Sequence, residues 1–462
     1  MNREEYVRIL TDQIRCVKAR NMVADEIKMH IEDQALSYQE QGMKEEQAIE
    51  AAVKDMGDPV EVGVSMDRIH RPQISWSMVA LMAVIGMVSI LLHGVFGNSD
   101  PGLGWGYVLK QTLYTLIGFL AMVLVCMIDY SFLTDHCVGT ALGLSVVMLF
   151  SDIFLGKEIN GAVRWISVRG LVVGLIPFLY LCVPVYGALL FRYRGGQVRG
   201  ILKSLMWMVW MVLPAYLMGS LSSCMSLVFM LLLLFSAAVL KGWFQIERPK
   251  RFLAAFWTCI VLSGPVYLLF LNLTGRLDFF QSRRIRMLLG LDPQGVNYVR
   301  YRVLEILRGS RFIGRGDGAD LTELVTTVPD LNQSYILSFV AAAFGYAAVI
   351  GLAVLFGVML FQIFRIAFGQ KNELGMMISL GCGLVFLTLL AMCFLENAGL
   401  LPHMSIDIPF ISAGGSNVIV SYILAGIVLS VYRYKSILPR ELPLKRKNKK
   451  IPKLKFSITL EK

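Results

Sequence analysis

Long apolar runs alternate with short polar connections along most of the chain. Each run holds about 20 apolar residues, the length that an α-helix needs to cross a hydrocarbon core of about 30 Å. Ten membrane helices are predicted, over residues 76–96, 108–128, 137–155, 171–191, 205–219, 221–240, 253–271, 335–363, 374–395 and 416–434. The fifth and sixth form one run, 205–240, which exceeds a single span and is expected to break between Pro214 and Ser223. The pattern predicts an all-α, polytopic membrane protein.

Residues 1–72 show a different pattern, with charged residues opposite an apolar helical face. In "EEYVRILTDQIRCVKA" the apolar positions recur at helical spacing: Tyr6, Ile9, Leu10, Ile14 and Val17. Two more helices are predicted downstream, with Gly42 and Gly57 as their C-terminal stops and Pro59 after the second. These helices are individually too short to be stable, so we expect them to pack together as a three-helix domain.

The distribution of basic residues predicts the orientation in the membrane. The net charge is +11, and clusters of Lys and Arg follow the fourth, sixth, eighth and tenth predicted helices. With an even number of spans these clusters share one side with both termini, and the positive-inside rule makes that side cytoplasmic. Domain 1–72, which precedes membrane domain 73–435 in the sequence, and the basic tail 436–462, which follows it, are therefore both expected in the cytoplasm. A large loop, 272–334, lies on the outer side between helices 7 and 8.

Composition excludes several other classes of protein. Hydrophobic residues make up 56% of the chain and charged residues 17%, without the ten-residue alternation of a β-barrel. The basic tail is read as a membrane flank, so no nucleic-acid partner is expected. Eight cysteines without a CxxC pair predict neither disulfides nor a metal site. No nucleotide-binding loop occurs.

The outer loops carry the candidate chemistry. Loop 272–334 contains nine arginines against seven acidic residues. Arginine forks match phosphate oxygens, so a phosphate-bearing ligand is one interpretation and a solvated surface with internal ion pairs is the other. Nearby, "DIPFISAGGSN" (407–417) places helix-breaking and polar residues just before the last apolar run. Such irregular backbone at membrane depth occurs where it is buried in protein or lines a cavity.

Four segments together resemble the SEDS family, the shape, elongation, division and sporulation proteins. In chain order they are "NGAVRWISVRG" (160–170), "RRIRMLLGLDPQGVNYVRYR" (283–302), "GRGDGADLTELVTTVPDLNQSYILSFVAAAFGYAAVIGL" (314–352) and "GLLPHMSIDIPFISAGGSNVIVSYILAGIVLSVYR" (399–433). The likeness covers about residues 76–435. Residues 1–72 resemble permease-prefix or HAAS-type interaction domains, through "EIKMHIEDQ" and "KEEQAIEAAVKDMGDP".

The resemblance implies a peptidoglycan glycosyltransferase that polymerises a lipid-linked disaccharide outside the cytoplasmic membrane of a bacterium. It implies a class B penicillin-binding transpeptidase as partner and a divalent cation, Mg or Mn, as a possible cofactor. Asp292, in "DPQGVNY", is the implied general base. The implied substrate-binding residues are Arg164, Trp165, Arg300, Pro409, Ser412, Gly414, Gly415 and Ser416. An alternative for the last motif is an ordinary helix cap, with Ser416 or Asn417 as the N-cap.

The chain departs from the family pattern at its intramembrane charges. Ala342 and Ala343 stand at the family's paired glutamates, and residues 332–335 read "NQSY" where the family has HTDF. Intramembrane charges are costly and usually kept for function. Two other functions therefore remain open, a non-catalytic scaffold that binds the precursor or a transpeptidase, and a flippase for the lipid-linked precursor.

Overall fold

The N-terminal domain contains four helices instead of the three predicted. The computed structural model describes residues 1–100, 102–159, 162–168, 171–274, 298–316 and 320–436. The four helices are α1 (Arg3–Asp12), α2 (Val17–Glu40), α3 (Glu45–Asp55) and α4 (Pro59–His70). The predicted first helix ends at Asp12, where tight turns follow, and Val17 already belongs to α2. Pro59 begins a helix rather than ending one, because its missing N–H costs nothing at the first helical position.

The predicted helix stops in this domain are confirmed. Gly42 and Gly57 follow α2 and α3 with φ of +95° and +80°, a conformation that favours glycine. Most of the predicted apolar face forms the core, in which Tyr6, Leu10 and Ile14 are fully buried, but Val17 is 69% exposed and was wrongly included. The hydroxyl of Tyr6 also donates a hydrogen bond to the carbonyl of Met56, 3.1 Å away, which ties α1 to the end of α3.

The remaining helices form the membrane domain. They are α5 (Trp76–Ser99), α6 (Gly104–Met127), α7 (Phe132–Leu155), α8 (Ile176–Leu179), α9 (Cys182–Arg192), α10 (Gln197–Leu217), α11 (Leu221–Leu240), α12 (Pro249–Leu273), α13 (Tyr298–Gly309), α14 (Leu321–Thr327), α15 (Ile336–Phe344), α16 (Tyr346–Phe368), α17 (Glu373–Asn397) and α18 (Gly415–Arg433). In the described part of the chain eight of them are long and apolar enough to span a membrane: α5, α6, α7, α10, α11, α16, α17 and α18. The apolar pair α8–α9 and the 25-residue helix α12 add two more, which agrees with the predicted ten-span, all-α architecture.

The bundle has a buried centre and a lipid-facing periphery. In α11, α17 and α18, 61–67% of the apolar span is buried inside the protein, whereas in α6, α7 and α16 only 17–22% is. Gly426 of α18 lies so close to α6 that a Cβ there would stand 2.7 Å from the Met122 carbonyl. The buried helices therefore set the positions of the loops at their ends.

The two ends of the membrane domain meet at one face. The amide of Gln73 donates to the carbonyl of Arg433 over 3.2 Å, and His70 Nδ1 lies 2.7 Å from the carbonyl of Ser436. We call the face that carries residues 1–72 the domain face and the opposite face the cavity face. The 36-residue run breaks at the cavity face between Leu217 and Leu221, within the predicted interval.

A small sheet replaces the start of the fourth predicted helix. Its strands are β1 (Gly156–Ile159), β2 (Ala162–Val168) and β3 (Leu171–Gly174), paired antiparallel in chain order. Predicting a helix over 171–191 was therefore wrong at its start, since helix begins only at Ile176. Val172 and Val173 are β-branched, and in β3 they pair with Ser167 and Ile166 of β2.

The eighth predicted helix, 335–363, is two helices separated at Gly345. This glycine has φ +89° and ψ 174°, which only glycine adopts readily. The chain at 311–316 packs into the break, where Tyr346 and Ala347 donate backbone hydrogen bonds to the carbonyls of Arg311 and Phe312. An apolar run gives no sign of such a break, because the residues on both sides remain apolar.

Gly345→Ala is expected to destabilise the protein. The alanine Cβ would stand 2.7 Å from the Phe312 carbonyl and would force a strained backbone that costs about 1–3 kcal/mol. The melting temperature in detergent should fall. Gly351→Ala on α16 is the matched control, because no atom lies within 4 Å of its Cβ position. Equal melting temperatures for the two variants would contradict this account of the break.

Candidate functional site

The segment 407–417 is held in an irregular conformation by its own polar groups. Ser412 Oγ accepts a hydrogen bond from the Ile408 amide at 2.7 Å and donates one to the Gln333 carbonyl at 2.8 Å. The side-chain amide of Asn417 donates to the Ile408 carbonyl at 2.8 Å. Phe410 has φ +66° and is fully buried, which fixes the turn. The segment is thus a preformed wall with its polar backbone largely satisfied.

This wall separates the predicted binding residues into two groups. Ser412 is fully buried in the hydrogen bonds just described, and neither it nor Pro409 lines the neighbouring cavity. Gly414, Gly415 and Ser416 do line one. The alternative in which Ser416 or Asn417 caps α18 is wrong, because the N-cap is Gly414, with φ +139°.

The hairpin β2–β3 supplies the opposite wall. Arg164 and Trp165 lie on β2, with Trp165 paired to Gly174. The guanidinium of Arg164 donates from Nη2 to the Gly219 carbonyl at 2.8 Å and from Nε to the Met218 carbonyl at 3.5 Å. These carbonyls end α10, so Arg164 ties the hairpin to the break between α10 and α11. With five N–H donors, a guanidinium anchored in this way keeps further donors available.

Between these walls lies a cavity of about 270 Å³ at the cavity face. Its polar lining comes from the hairpin, the α10–α11 break, the segment before α15 and the segment that leads into α18. These polar residues include Arg164, Ser220, Ser222, Ser223, Gln333, Ser405, Asp407, Ser416 and Asn417. Apolar residues such as Trp165, Val172 and Leu389 complete it. The structure thus brings together five of the predicted residues: Arg164, Trp165, Gly414, Gly415 and Ser416.

Asp407 is the cavity residue that sequence reasoning missed. It is the single acidic residue of the lining, and no described residue gives its carboxylate a hydrogen bond or ion pair. Burial, assisted by the negative charges of Asp330 and Glu396, raises its pKa to about 7. The available signal was an acid inside a Pro-Gly-Ser motif next to a membrane span, where charges are costly and usually functional. The resemblance instead directed attention to the glycines and serines around it.

A histidine–carboxylate cluster lies behind the cavity wall. His403 Nδ1 is 2.9 Å from Glu396 Oε1, and its Nε2 is 3.5 Å from Asp330 Oδ2. Glu396 is buried and also accepts a hydrogen bond from the Met404 amide at 2.9 Å. Hydrogen bonds to Asp330 and Glu396 raise the pKa of His403 to about 9. At neutral pH the imidazolium therefore bridges two carboxylates and fixes the chain that leads to Asp407.

The pKa of His403 predicts a pH-dependent stability. Because this pKa lies above the usual 6.5, the stabilisation is complete below pH 6.5 and is lost as the pH rises through about 9. The melting temperature should fall between pH 7 and pH 9.5, and this fall should be smaller in His403→Gln. His30→Gln, at an exposed position in the N-terminal domain, is the control. The same fall in wild type and His403→Gln would contradict the assignment.

Of the two remaining predicted residues, Arg300 lies away from the cavity and Asp292 is not described by the structure. Arg300 is exposed on α13, where Val303 and Ile306 are buried against the cavity face, and it does not line the cavity. Its neighbour Arg302 is paired with Glu305 at 2.7 Å and with Glu323 at 3.3 Å. Asp292 lies outside the described residues, so its role as the general base stays a prediction.

The fold and the cavity define a multi-pass membrane protein with a polar pocket at the face opposite a small helical domain. The chain belongs to the FtsW/RodA/SpoVE family of cell cycle proteins, whose model matches residues 72–437. Residues 1–71 precede the matched region, so the four-helix domain is an addition to the family fold. Its likeness to permease-prefix domains stays a prediction.

Relatives and solved structures agree with this assignment. A probable peptidoglycan glycosyltransferase FtsW from Hydrogenovibrio crunogenus is 26% identical over 338 residues, covering 70% of this chain and 82% of that protein. A probable peptidoglycan glycosyltransferase FtsW from Geobacter sulfurreducens is 24% identical over 389 residues, covering 80% of this chain and 98% of that protein. A chain from a peptidoglycan synthase complex that coordinates polymerization and crosslinking shares the fold, with a TM-score of 0.65 at 18% identity, covering 78% of this chain and 98% of its own. RodA of Thermus thermophilus also shares the fold, with a TM-score of 0.55 at 16% identity, covering 78% of this chain and 97% of its own.

Proposed function

We propose that this chain is a peptidoglycan glycosyltransferase that polymerises a lipid-linked disaccharide at the cavity face. The observation that carries the proposal is the cavity itself, built by the two family motifs around Arg164 and Gly415. The FtsW relatives, which are named as probable peptidoglycan glycosyltransferases, support the same activity.

The proposed location is the cytoplasmic membrane of a bacterium, with both termini in the cytoplasm. Basic residues at the domain face support this orientation through the positive-inside rule. They lie in the last turn of α9 and α16, in the first turns of α10 and in the connections after α9, α11 and α16. They include Arg192, Arg194, Arg199, Lys203, Lys241, Arg248, Arg365 and Lys371. The cavity then faces outward, where the lipid-linked precursor would be polymerised.

The chemistry requires a base and a cationic environment. A carboxylate takes the proton of the acceptor sugar hydroxyl while that oxygen attacks the anomeric carbon of the donor. The C–O bond to the lipid pyrophosphate breaks, and its electron pair leaves with the pyrophosphate. Asp292 is the proposed base. The Arg164 guanidinium would donate hydrogen bonds to the departing phosphate oxygens as their charge develops.

Asp407 would bind the sugars of the precursor. A carboxylate that lacks a protein donor accepts hydrogen bonds from sugar hydroxyls or from the N–H of an acetamido group. Ser416 and Asn417 supply further polar groups next to it. We assign Asp407 to holding the sugar in the cavity.

A divalent cation, magnesium or manganese, stays a prediction. In the part of the chain that the structure describes, no group of three His, Cys, Asp or Glu side chains could hold a metal ion. The cavity offers one carboxylate, Asp407. Magnesium sites often combine one or two carboxylates with phosphates of the substrate, so a cation could only bind there together with the precursor. We therefore assign no step of the reaction to a cation.

A class B penicillin-binding transpeptidase is the proposed partner. The solved chain that shares this fold belongs to a complex that coordinates polymerization with crosslinking, which supports such a pairing. The four-helix domain, at the opposite face, would remain available for a cytoplasmic partner.

Reconstitution tests the proposal against its two alternatives. Purified full-length protein, with and without a class B transpeptidase, is given labelled lipid-linked disaccharide, and the products are separated by size. A ladder of glycan strands supports the enzyme. Binding of the precursor without a ladder indicates a scaffold, and movement of labelled precursor across liposomes without a ladder indicates a flippase. Either of these results would overturn the proposed activity.

A further inference from the structure

A second cavity, of about 310 Å³, lies at the domain face, at the opposite end of the membrane helices from the first. It is enclosed by the start of α5, the end of α16 and the end of α18. Its lining residues are Ser75, Ser77, Gln362, Arg365, Ile366, Gly369, Gln370, Tyr432 and Lys435. Because it sits at the ends of membrane-spanning helices, it lies at the level of lipid headgroups.

The charge of this cavity is positive. Arg365 and Lys435 line it, and none of its lining residues is acidic. Within the described residues neither cation has an ion-pair partner, and Lys435 Nζ lies 4.2 Å from the centre of the Tyr432 ring. Arg71 lines an adjoining cavity that shares Tyr432. An anionic ligand is therefore favoured.

The same cavity contains polar groups that lack partners. The side-chain oxygens Oε1 of Gln362 and Gln370 are enclosed, and no described residue donates a hydrogen bond to either. A buried amide without a partner costs free energy, which a ligand carrying its own donors would relieve. The ligand is therefore expected to combine an anionic group with hydroxyl donors.

An exposed apolar strip leads away from this cavity along α16. Phe361 and Phe368, one before and one after Arg365, are 66% and 70% exposed, and Val354 is 61% exposed. At the start of α5, Trp76 is 71% exposed, as is typical of aromatic residues at a membrane boundary. Acyl chains fit this strip, whereas a free phosphate would make no use of it.

We propose that this cavity binds the headgroup of an anionic phospholipid of the phosphatidylglycerol type. The phosphodiester accepts hydrogen bonds from Arg365, Lys435 and the hydroxyls of Ser75 or Ser77. The glycerol hydroxyls donate to Gln362 and Gln370, and the acyl chains lie along α16. This site is independent of the glycosyltransferase proposal, because it shares no residue with the first cavity.

Native mass spectrometry of the full-length protein in detergent tests the site. Phosphatidylglycerol and phosphatidylcholine are titrated separately onto wild type, Arg365→Gln/Lys435→Gln and Lys241→Gln/Arg248→Gln. The control pair removes two exposed basic residues from the same face but outside the cavity. We expect wild type and control to prefer phosphatidylglycerol and the cavity variant to bind it about tenfold or more weakly. Equal loss in both variants would show only general surface charge and would overturn the proposal.

A second set of binding measurements distinguishes a lipid ligand from a soluble phosphate. Glycerol phosphate is offered at the same concentrations, together with Gln362→Leu/Gln370→Leu, which keeps both cations but removes the amide oxygens. Weaker phosphatidylglycerol binding in this variant supports the assigned headgroup contacts. Glycerol phosphate that binds as tightly as the lipid would contradict the lipid assignment.

Discussion

Asp292→Asn is expected to abolish glycan polymerisation while precursor binding persists. The asparagine keeps the size of the side chain but cannot take a proton, and loss of a positioned general base costs about 10²- to 10⁴-fold in rate. The rate of ladder growth from labelled lipid-linked disaccharide measures the effect. The precursor should still bind, because the cavity residues around Arg164 and Ser416 are unchanged.

Two variants make this result specific to Asp292. Asp278→Asn removes the same charge from the same loop and should retain activity. Asp407→Asn should weaken precursor binding more than it lowers the maximal rate, because Asp407 is assigned to holding the sugar. Full activity in Asp292→Asn together with none in Asp407→Asn would transfer the role of base to the cavity carboxylate.

Arg164→Ala has the second largest expected effect. Its guanidinium lies in the cavity beside the wall of Gly414 and Gly415, and it is the single cation of the described lining. Removal of one preorganised donor to a developing charge costs about 10²- to 10³-fold in turnover. Turnover at saturating precursor measures this loss. Arg199→Ala, an exposed arginine of the domain face, is the control.

The structural contribution of Arg164 must be separated from its chemical one. Its hydrogen bonds to Met218 and Gly219 fasten the hairpin to the end of α10, so Arg164→Ala should also lower the melting temperature. Arg164→Lys keeps the charge without the planar fork and should recover part of the turnover. Unchanged turnover in Arg164→Ala would remove this residue from the mechanism.

The membrane architecture was predictable from the sequence because each span is a long apolar run. Even the break between α10 and α11 could be located, since a 36-residue run cannot cross a bilayer once and Pro214 precedes the break. Gly42 and Gly57 were predictable as helix stops because glycine adopts positive φ at low cost.

Features that depend on tertiary packing were not predictable. The split at Gly345 exists because residues 311–316 insert against it, and β3 exists because β2 pairs with it. Ser412 was assigned to the ligand because it is polar, whereas its hydroxyl satisfies the Ile408 amide and the Gln333 carbonyl. Asp407 was missed because only the folded structure shows that its carboxylate faces a cavity without a protein partner.

The central claim is that the lipid-linked substrate occupies the cavity between the hairpin and the wall before α18. Photoreactive benzoylphenylalanine is introduced at Val172, which lines this cavity, and, as a control, at Ile153 on α7, which is 70% exposed and lies outside it. After illumination with labelled precursor, we predict crosslinking at 172 and not at 153, competition by unlabelled precursor, and loss of ladder formation in the crosslinked fraction. Equal labelling at both positions, or a crosslinked protein that still makes glycan strands, would contradict the account.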